Sequence, residues 1–182
     1  MISGVQKLLS LPAYTTITAQ SFSQDGQYLA ICNDQGRIAI FNVPQIIDKD
    51  TKSQAFYHFE AASILDGQIK GRKGCINASK TLKDTLILAI SRPSHQEPAI
   101  LAFSWKDLIQ QRTKLLWSID LSSGLLPKDV NAIDINEIDE KLFVVGGVGT
   151  AQQATKDFAV RQIDLETRME ASKPMMGKFS KL

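Results

Sequence analysis

The chain has 182 residues, of which 43% are hydrophobic and 22% charged, and its formal net charge is +2. This length and composition are typical of one globular domain with a hydrophobic core, and they argue against a disordered chain. The near balance of 21 basic and 19 acidic residues argues against a dedicated nucleic-acid-binding domain, which normally carries a strongly basic face.

Residues 15–43 have the pattern of three short strands joined by two tight turns. The run TTITAQSF is followed by the turn SQDG, QYLAIC is followed by the turn NDQG, and RIAIFNV completes the set. Gly26 and Gly36 close these turns, where glycine adopts a positive φ at little cost. We therefore predict antiparallel hairpins, with AFYHFEA as a fourth strand.

The same pattern recurs twice further along the chain. The second set comprises GCINASKTL, a turn at Lys83-Asp84, TLILAIS, AILAFSW, a helical insertion KDLIQQRT, and KLLWSIDL. Ser104 and Asp107 at the start of the insertion fit a helix N-terminal capping pattern. The third set comprises VNAIDIN, a turn at EIDE, KLFVVGG and FAVRQIDL, and its fourth strand would have to come from MEASKPMMGKFSKL, a poor strand sequence.

The spacing of these sets predicts a repeat protein. Matching Leu29, Leu88 and Val144 as strand centres gives separations of 59 (88 minus 29) and 56 (144 minus 88) residues, somewhat above the roughly 40 to 45 residues of a WD40 blade. We predict an all-β, WD40-type β-propeller with blades at about 15–62, 74–122 and 130–167 and a divergent flexible tail at 168–182. Since propellers close with about 4 to 8 blades, three should form an incomplete ring.

The stretch FSQDGQYLAICNDQGRIAIFNV resembles a WD40 repeat, in which Ser-x-Asp-Gly precedes the second strand and Asp-x-Gly the third. More closely, residues 15–167 resemble the THO complex subunit 6 family in YTTITAQSFSQDGQYLAICNDQGRIAIFNV, in KDLIQQRTKLLW, and in NAIDINEIDEKLFVVGG followed by IDLET. At the position of the WD40 Trp-Asp pair, the three units are matched to Phe41-Asn42, Trp105-Lys106 and Ile163-Asp164.

This resemblance implies a non-catalytic scaffold or adaptor subunit of a THO-like complex, within the TREX machinery for messenger-RNA processing and nuclear export. The expected partners are other protein subunits of that complex, with RNA reached indirectly and with no membrane or small-molecule substrate. The alternatives are a generic, cytoplasmic WD40 scaffold in another complex and a truncated isoform without independent function.

The reactive residues form no recognisable catalytic pattern. His58 and His95 have no nucleophile motif beside them, and the run 146–150 lacks the Gly-Lys-Ser/Thr of a phosphate-binding loop. Cys32 and Cys75 lie far apart, without a CxxC pair or a Cys/His cluster, so neither zinc nor a disulfide framework is expected. We therefore predict no enzyme activity, no catalytic residue, no metal site and no cofactor.

Two short motifs are candidates for recognition. Lys70, Arg72 and Lys73 form a compact basic cluster in QIKGRKG, a candidate contact for an acidic partner or RNA phosphates, with an ordinary solvated loop as the alternative. The C-terminal Ser180-Lys181-Leu182 matches a peroxisomal address. Nuclear localisation is expected from the resemblance, and peroxisomal import is a minor alternative.

Overall fold

The structure is a computed structural model, and it describes residues 16–48, 57–60, 75–91, 99–120, 130–146, 159–172 and 175–176. Most of these residues lie in short strands, with two short helices between them. The elements are β1 Ile17–Phe22, β2 Tyr28–Asn33, β3 Arg37–Asn42, α1 Val43–Ile47, β4 Tyr57–Glu60, β5 Cys75–Leu82, β6 Thr85–Ser91, β7 Ala99–Ser104, α2 Trp105–Ile109, β8 Leu115–Asp120, β9 Val130–Asn136, β10 Lys141–Gly146, β11 Ala159–Asp164 and β12 Met175–Met176.

The described strands form three separate sheets, each with four strands in the order in which they follow one another along the chain. Every pairing within these sheets is antiparallel. The prediction of three four-stranded β-units is therefore confirmed. The fourth strand of the third sheet consists of Met175 and Met176, which pair with Val160 and Ala159.

The first turn of each sheet contains a residue with positive φ. Gly26 has a φ of 70°, and Lys83 and Glu140 occupy the corresponding turns of the second and third sheets with φ values of 50° each. The first and second strands of each sheet are thus joined by the tight turns that the sequence predicts. Gly36, with a φ of 75°, closes the predicted turn between β2 and β3.

A hydrogen bond that recurs in all three sheets shows which of their residues are equivalent. In each sheet, the amide that follows the third strand donates to the carbonyl that precedes the second strand. The three pairs are Val43 N to Gln27 O at 2.8 Å, Trp105 N to Asp84 O at 2.8 Å, and Leu165 N to Glu140 O at 3.1 Å. The equivalent leucines are therefore Leu29, Leu86 and Leu142. They are spaced by 57 (86 minus 29) and 56 (142 minus 86) residues. The predicted match of Leu29 with Leu88 and Val144 is wrong by two residues.

The same register corrects the assignment of the Trp-Asp position in the second sheet. The last residue of each third strand pairs with the first residue of the second strand: Asn42 with Tyr28, Ser104 with Thr85, and Asp164 with Lys141. The residue equivalent to Asn42 is therefore Ser104. The assignment of Trp105-Lys106 is wrong by two residues, because Trp105 already belongs to the helix that follows the strand.

The second sheet is covered on both faces, and this arrangement explains its uninterrupted apolar strands. In β6, Leu86, Leu88 and Ile90 pack against the first sheet, whereas Ile87 and Ala89 pack against the third. All six residues of β7 are also buried. A strand buried on both faces needs apolar residues at every position, whereas a strand with one solvated face alternates.

The first strands of the sheets lie side by side and are linked by side-chain hydrogen bonds. Ser21 Oγ donates to Ser79 Oγ at 3.1 Å, and Thr18 Oγ1 donates to the carbonyl of Ile76. Asn77 Nδ2 repeats this type of contact one sheet further on, donating to Val130 O at 2.8 Å. Each sheet therefore meets the next both through its apolar face and along its first strand.

No helix in the described part of the chain is long and apolar enough to cross a membrane.

Candidate interaction surface

Each sheet places two of its connections at the same end, because neighbouring strands run antiparallel. These are the turn between the first and second strands and the segment that follows the third strand. We call this surface the turn end, and it comprises residues 23–27, 43–48, 83–84, 105–114, 137–140 and 165–170. These described residues include nine acidic and five basic ones, a net charge of −4, whereas the whole chain has a net charge of +2.

Asp25 in the first turn is held as a charged, exposed carboxylate. Ser23 Oγ donates to Asp25 Oδ1 at 2.6 Å, and the amide of Gln27 donates to the same oxygen at 3.0 Å. These hydrogen bonds, that of Ser23 first, lower the pKa of Asp25, because both stabilise the ionised form. The turn thus presents a fixed negative charge to solvent at neutral pH.

Asp84 holds the start of helix α2 in the second sheet. Its Oδ2 accepts from Ser104 Oγ at 2.7 Å, and its Oδ1 accepts from the amide of Lys106 at 3.1 Å. Ser104 Oγ in turn accepts from the amide of Asp107 at 3.3 Å, which confirms the predicted N-terminal cap. The arrangement satisfies amides that the first turn of a helix cannot pair internally.

An ion pair and an aromatic contact join the second sheet to the third at this end. Lys83 Nζ contacts Glu140 Oε1, so the two positive-φ turns bind each other directly. The Arg168 guanidinium lies 6.0 Å from the centre of the Trp117 ring, a cation–π distance. The turns of these two sheets are therefore held together by charge as well as by apolar packing.

A groove of about 330 Å³ opens between the turns of the first and second sheets. One wall is the first turn and the other is the second turn, and α2 supplies apolar surface between them. The lining residues are Ser23, Gln24, Asp25, Lys83, Asp84, Trp105 and Ile109. The groove thus combines two carboxylates with an apolar side, whereas Lys83 is engaged by Glu140 of the third sheet.

Three large apolar side chains stand exposed on the turn end. Ile138 is 92% exposed, Ile47 is 71% exposed and Met169 is 67% exposed. Exposed apolar residues are ordinary when they occur singly. Here they share one end of the molecule with the groove and the excess of acidic residues.

The predicted basic cluster Lys70, Arg72 and Lys73 lies outside the described residues, and its role stays a prediction. His95, residues 147–150 and the C-terminal Ser180-Lys181-Leu182 also lie outside them. His58 is in β4, where its backbone pairs with Ala39.

Cys32 is fully buried, and burial raises the pKa of its thiol to about 12. A thiol with so high a pKa stays protonated at neutral pH and is a poor nucleophile. Cys32 and Cys75 do not form a disulfide. Within the described ranges, no three His, Cys, Asp or Glu side chains are grouped so that they could hold a metal ion.

The sequence identified the turns at Asp25 and Lys83-Asp84 but not the groove that they form together. Their separation of 58 residues (83 minus 25) carries no local signal of proximity. The repeat itself was the available signal, since equivalent turns of adjacent blades must lie at the same end of a propeller.

Comparison with known proteins agrees with this architecture. No family model matches the chain. The THO complex subunit 6 homolog of Danio rerio is 28% identical over 140 residues, which cover 74% of this chain and 38% of that protein. This chain therefore spans well under half the length of that curated relative.

The fold is similar to that of a solved WD40 structure. The crystal structure of the RRP9 WD40 repeats aligns with a TM-score of 0.56 at 14% identity, over 93% of this chain and 40% of that one. The β-propeller domain of Cps50 (Swd1) from Myceliophteria thermophila aligns with a TM-score of 0.48 at 12% identity, over 85% and 40% of the two chains. The chain therefore has a WD40-type β-propeller fold, and over 140 residues its sequence is similar to that of a THO complex subunit 6 homolog.

Proposed function

We propose that this chain is a non-catalytic scaffold subunit of a THO-like complex, acting in the nucleus in messenger-RNA processing and export as part of the TREX machinery. In this role, the turn end binds neighbouring protein subunits, and RNA is reached through the complex. The observation that carries the proposal is the 28% identity to a THO complex subunit 6 homolog over 140 residues, in a chain with the WD40 fold.

The geometry is compatible with such a role. A propeller presents turns and blade faces to several partners, while its core needs only apolar packing. The turn end of this chain offers a charged rim, exposed apolar side chains and a groove, and its turns are braced by hydrogen bonds and an ion pair. A braced surface loses little conformational entropy when it binds, which favours affinity.

The test is affinity purification of the epitope-tagged 182-residue chain from nuclear extract, with quantitative mass spectrometry of the bound proteins. We expect THO complex subunits to be enriched relative to the variant Leu86→Asp, because a carboxylate at this fully buried position disrupts the core. Leu116→Asp is the matched control. This residue is 43% exposed, so the variant should retain the same bound proteins.

Absence of THO subunits from the proteins bound by a folded chain, verified by circular dichroism, would contradict the proposal. Consistent recovery of a different complex would favour the generic WD40 scaffold. A fluorescent fusion tests localisation separately, and we expect it to accumulate in the nucleus.

A further inference from the structure

We propose that the groove between the first and second sheets binds a partner segment in which an arginine is flanked by apolar residues. The inference rests on the proposed scaffold function and adds the chemistry of the partner. The occupant follows from the charge and the apolar surface of the groove.

The size of the groove sets the size of the occupant. Its volume of about 330 Å³ lies at the lower end of the roughly 300 to 1,000 Å³ range of ligand pockets. Such a space accepts a few side chains of an extended segment rather than a folded element. We therefore expect a short linear motif.

Asp25 supplies a charged acceptor on one wall. The hydrogen bonds from Ser23 Oγ and from the Gln27 amide both end on its Oδ1, and neither uses Oδ2. Its Oδ2 can therefore accept from an incoming guanidinium without breaking the turn. A guanidinium is always charged and carries five N–H donors, so an arginine can bind this oxygen and still donate to other acceptors.

The opposite wall does not neutralise this charge. Lys83 is paired with Glu140, and Asp84 adds a second carboxylate beside the groove. Together, Lys83, Glu140, Asp84 and Asp25 carry a net charge of −2. The net charge of −4 over the described residues of the turn end has the same sign and would steer a basic segment towards the groove.

The side of the groove formed by α2 is apolar. Ile109 is half-buried and Trp105 is buried, and Trp105 is fixed by the hydrogen bond from its Nε1 to Thr81 Oγ1 at 3.2 Å. Apolar surface beside a carboxylate fits a segment whose basic residue has apolar neighbours, because each part of the segment then leaves water for a matching surface.

The test is an NMR titration of the isotope-labelled chain with the capped peptide Gly-Leu-Arg-Leu-Gly. The same peptide with Glu in place of Arg is the ligand control. We expect amide shifts centred on the turns around Asp25 and Lys83 and on α2, with the Arg peptide binding more tightly than the Glu peptide. Equal affinities, or shifts confined to other parts of the chain, would overturn the inference.

Two variants and one matched control locate the contact. Asp25→Asn keeps the Oδ1 acceptor of the turn and removes the charge, so affinity for the Arg peptide should fall about fivefold. Ile109→Ala should also weaken binding through the lost apolar contact. Asp139→Asn removes an acidic charge from the equivalent turn of the third sheet, outside the groove, and should have little effect.

If Asp25→Asn and Asp139→Asn lower the affinity for the Arg peptide equally, the effect is one of general electrostatics. That result would overturn the assignment of the binding site to the groove. The test of the groove can fail independently of the test of the proposed function. If THO subunits are recovered equally by the wild-type chain and by Asp25→Asn, the scaffold function stands and the groove fails as its binding site. If the Arg peptide binds in the groove but no THO subunit is recovered, the groove stands and the THO assignment fails.

Discussion

The first and second sheets contain the same leucine at the same repeat position in different surroundings. Leu86 faces the first sheet and is 0% exposed, whereas Leu29 lies on the face of the first sheet that points away from the second and is only half-buried. Leu142 repeats the environment of Leu86 one sheet further on, buried between the second and third sheets. Equivalent residues therefore contribute differently to stability, according to whether another sheet covers their face.

The largest expected effect comes from truncating these leucines. Leu86→Ala and Leu142→Ala should each lower the free energy of unfolding by about 3 kcal/mol, because each removes buried apolar surface and leaves a cavity. Leu29→Ala should cost about 1 kcal/mol, since its side chain is already partly in water. Urea unfolding of the three variants and of the wild-type chain measures the difference.

If Leu29→Ala and Leu86→Ala lowered the free energy of unfolding equally, the difference between the two positions would be contradicted. That result would mean that the outer face of the first sheet is covered as completely in solution as the face between the sheets. Leu116→Ala, at an exposed position of β8, is the control for shortening a leucine outside the core.

An intermediate effect is expected at the residue that ends each third strand. Ser104→Ala should cost about 1.5 kcal/mol, because it removes both the cap of α2 and a hydrogen bond to Asp84. Asn42→Ala removes only the cap of α1, in which Asn42 Oδ1 accepts from the amide of Gln45 at 3.2 Å, and should cost about 0.7 kcal/mol. Thermal unfolding followed by circular dichroism compares the two variants, and a larger loss in Asn42→Ala would contradict this ranking.

The smallest effect is expected from the ion pair between Lys80 and Asp134, 2.9 Å apart, which links the second and third sheets. The hydrogen bond from Lys80 is the main cause of the lowered pKa of Asp134. Because the side chain of Asp134 is 74% exposed, Asp134→Asn should cost only about 0.5 kcal/mol at neutral pH and low salt.

The stabilisation by Asp134 should depend on pH, because it requires the ionised carboxylate. A carboxylate whose pKa is lower in the folded chain stabilises the fold above its unfolded pKa, near the usual 3.8, and this contribution is lost as the pH falls through the folded pKa. The difference between wild type and Asp134→Asn should therefore vanish in acid and also in about 1 M salt. A difference that persists in acid would show that the contact acts by packing. A double-mutant cycle with Lys80→Ala isolates the pair.

The local structure was largely predictable from the sequence. The turns around Gly26 and Gly36, the runs that became β1 to β3 and the cap at Ser104 all depend on residues close together in the chain. The alignment of the repeat was less predictable, because residues 86–90 of β6 are all apolar and their pattern does not show which residues face which sheet. Only the pairing of Ser104 with Thr85 showed that Ser104, and not Lys106, is equivalent to Asn42.

The sequence by itself thus determined most of the strands, their hairpin order and the number of repeat units, since alternation and turn residues act over a few positions. The tertiary structure decided which faces are buried, that Lys83 meets Glu140, and that Asp25 and Asp84 line the same groove. Those contacts join residues more than fifty positions apart. They depend on how one twisted sheet stacks on the next, a geometry set by the packing of whole faces and not by any local pattern.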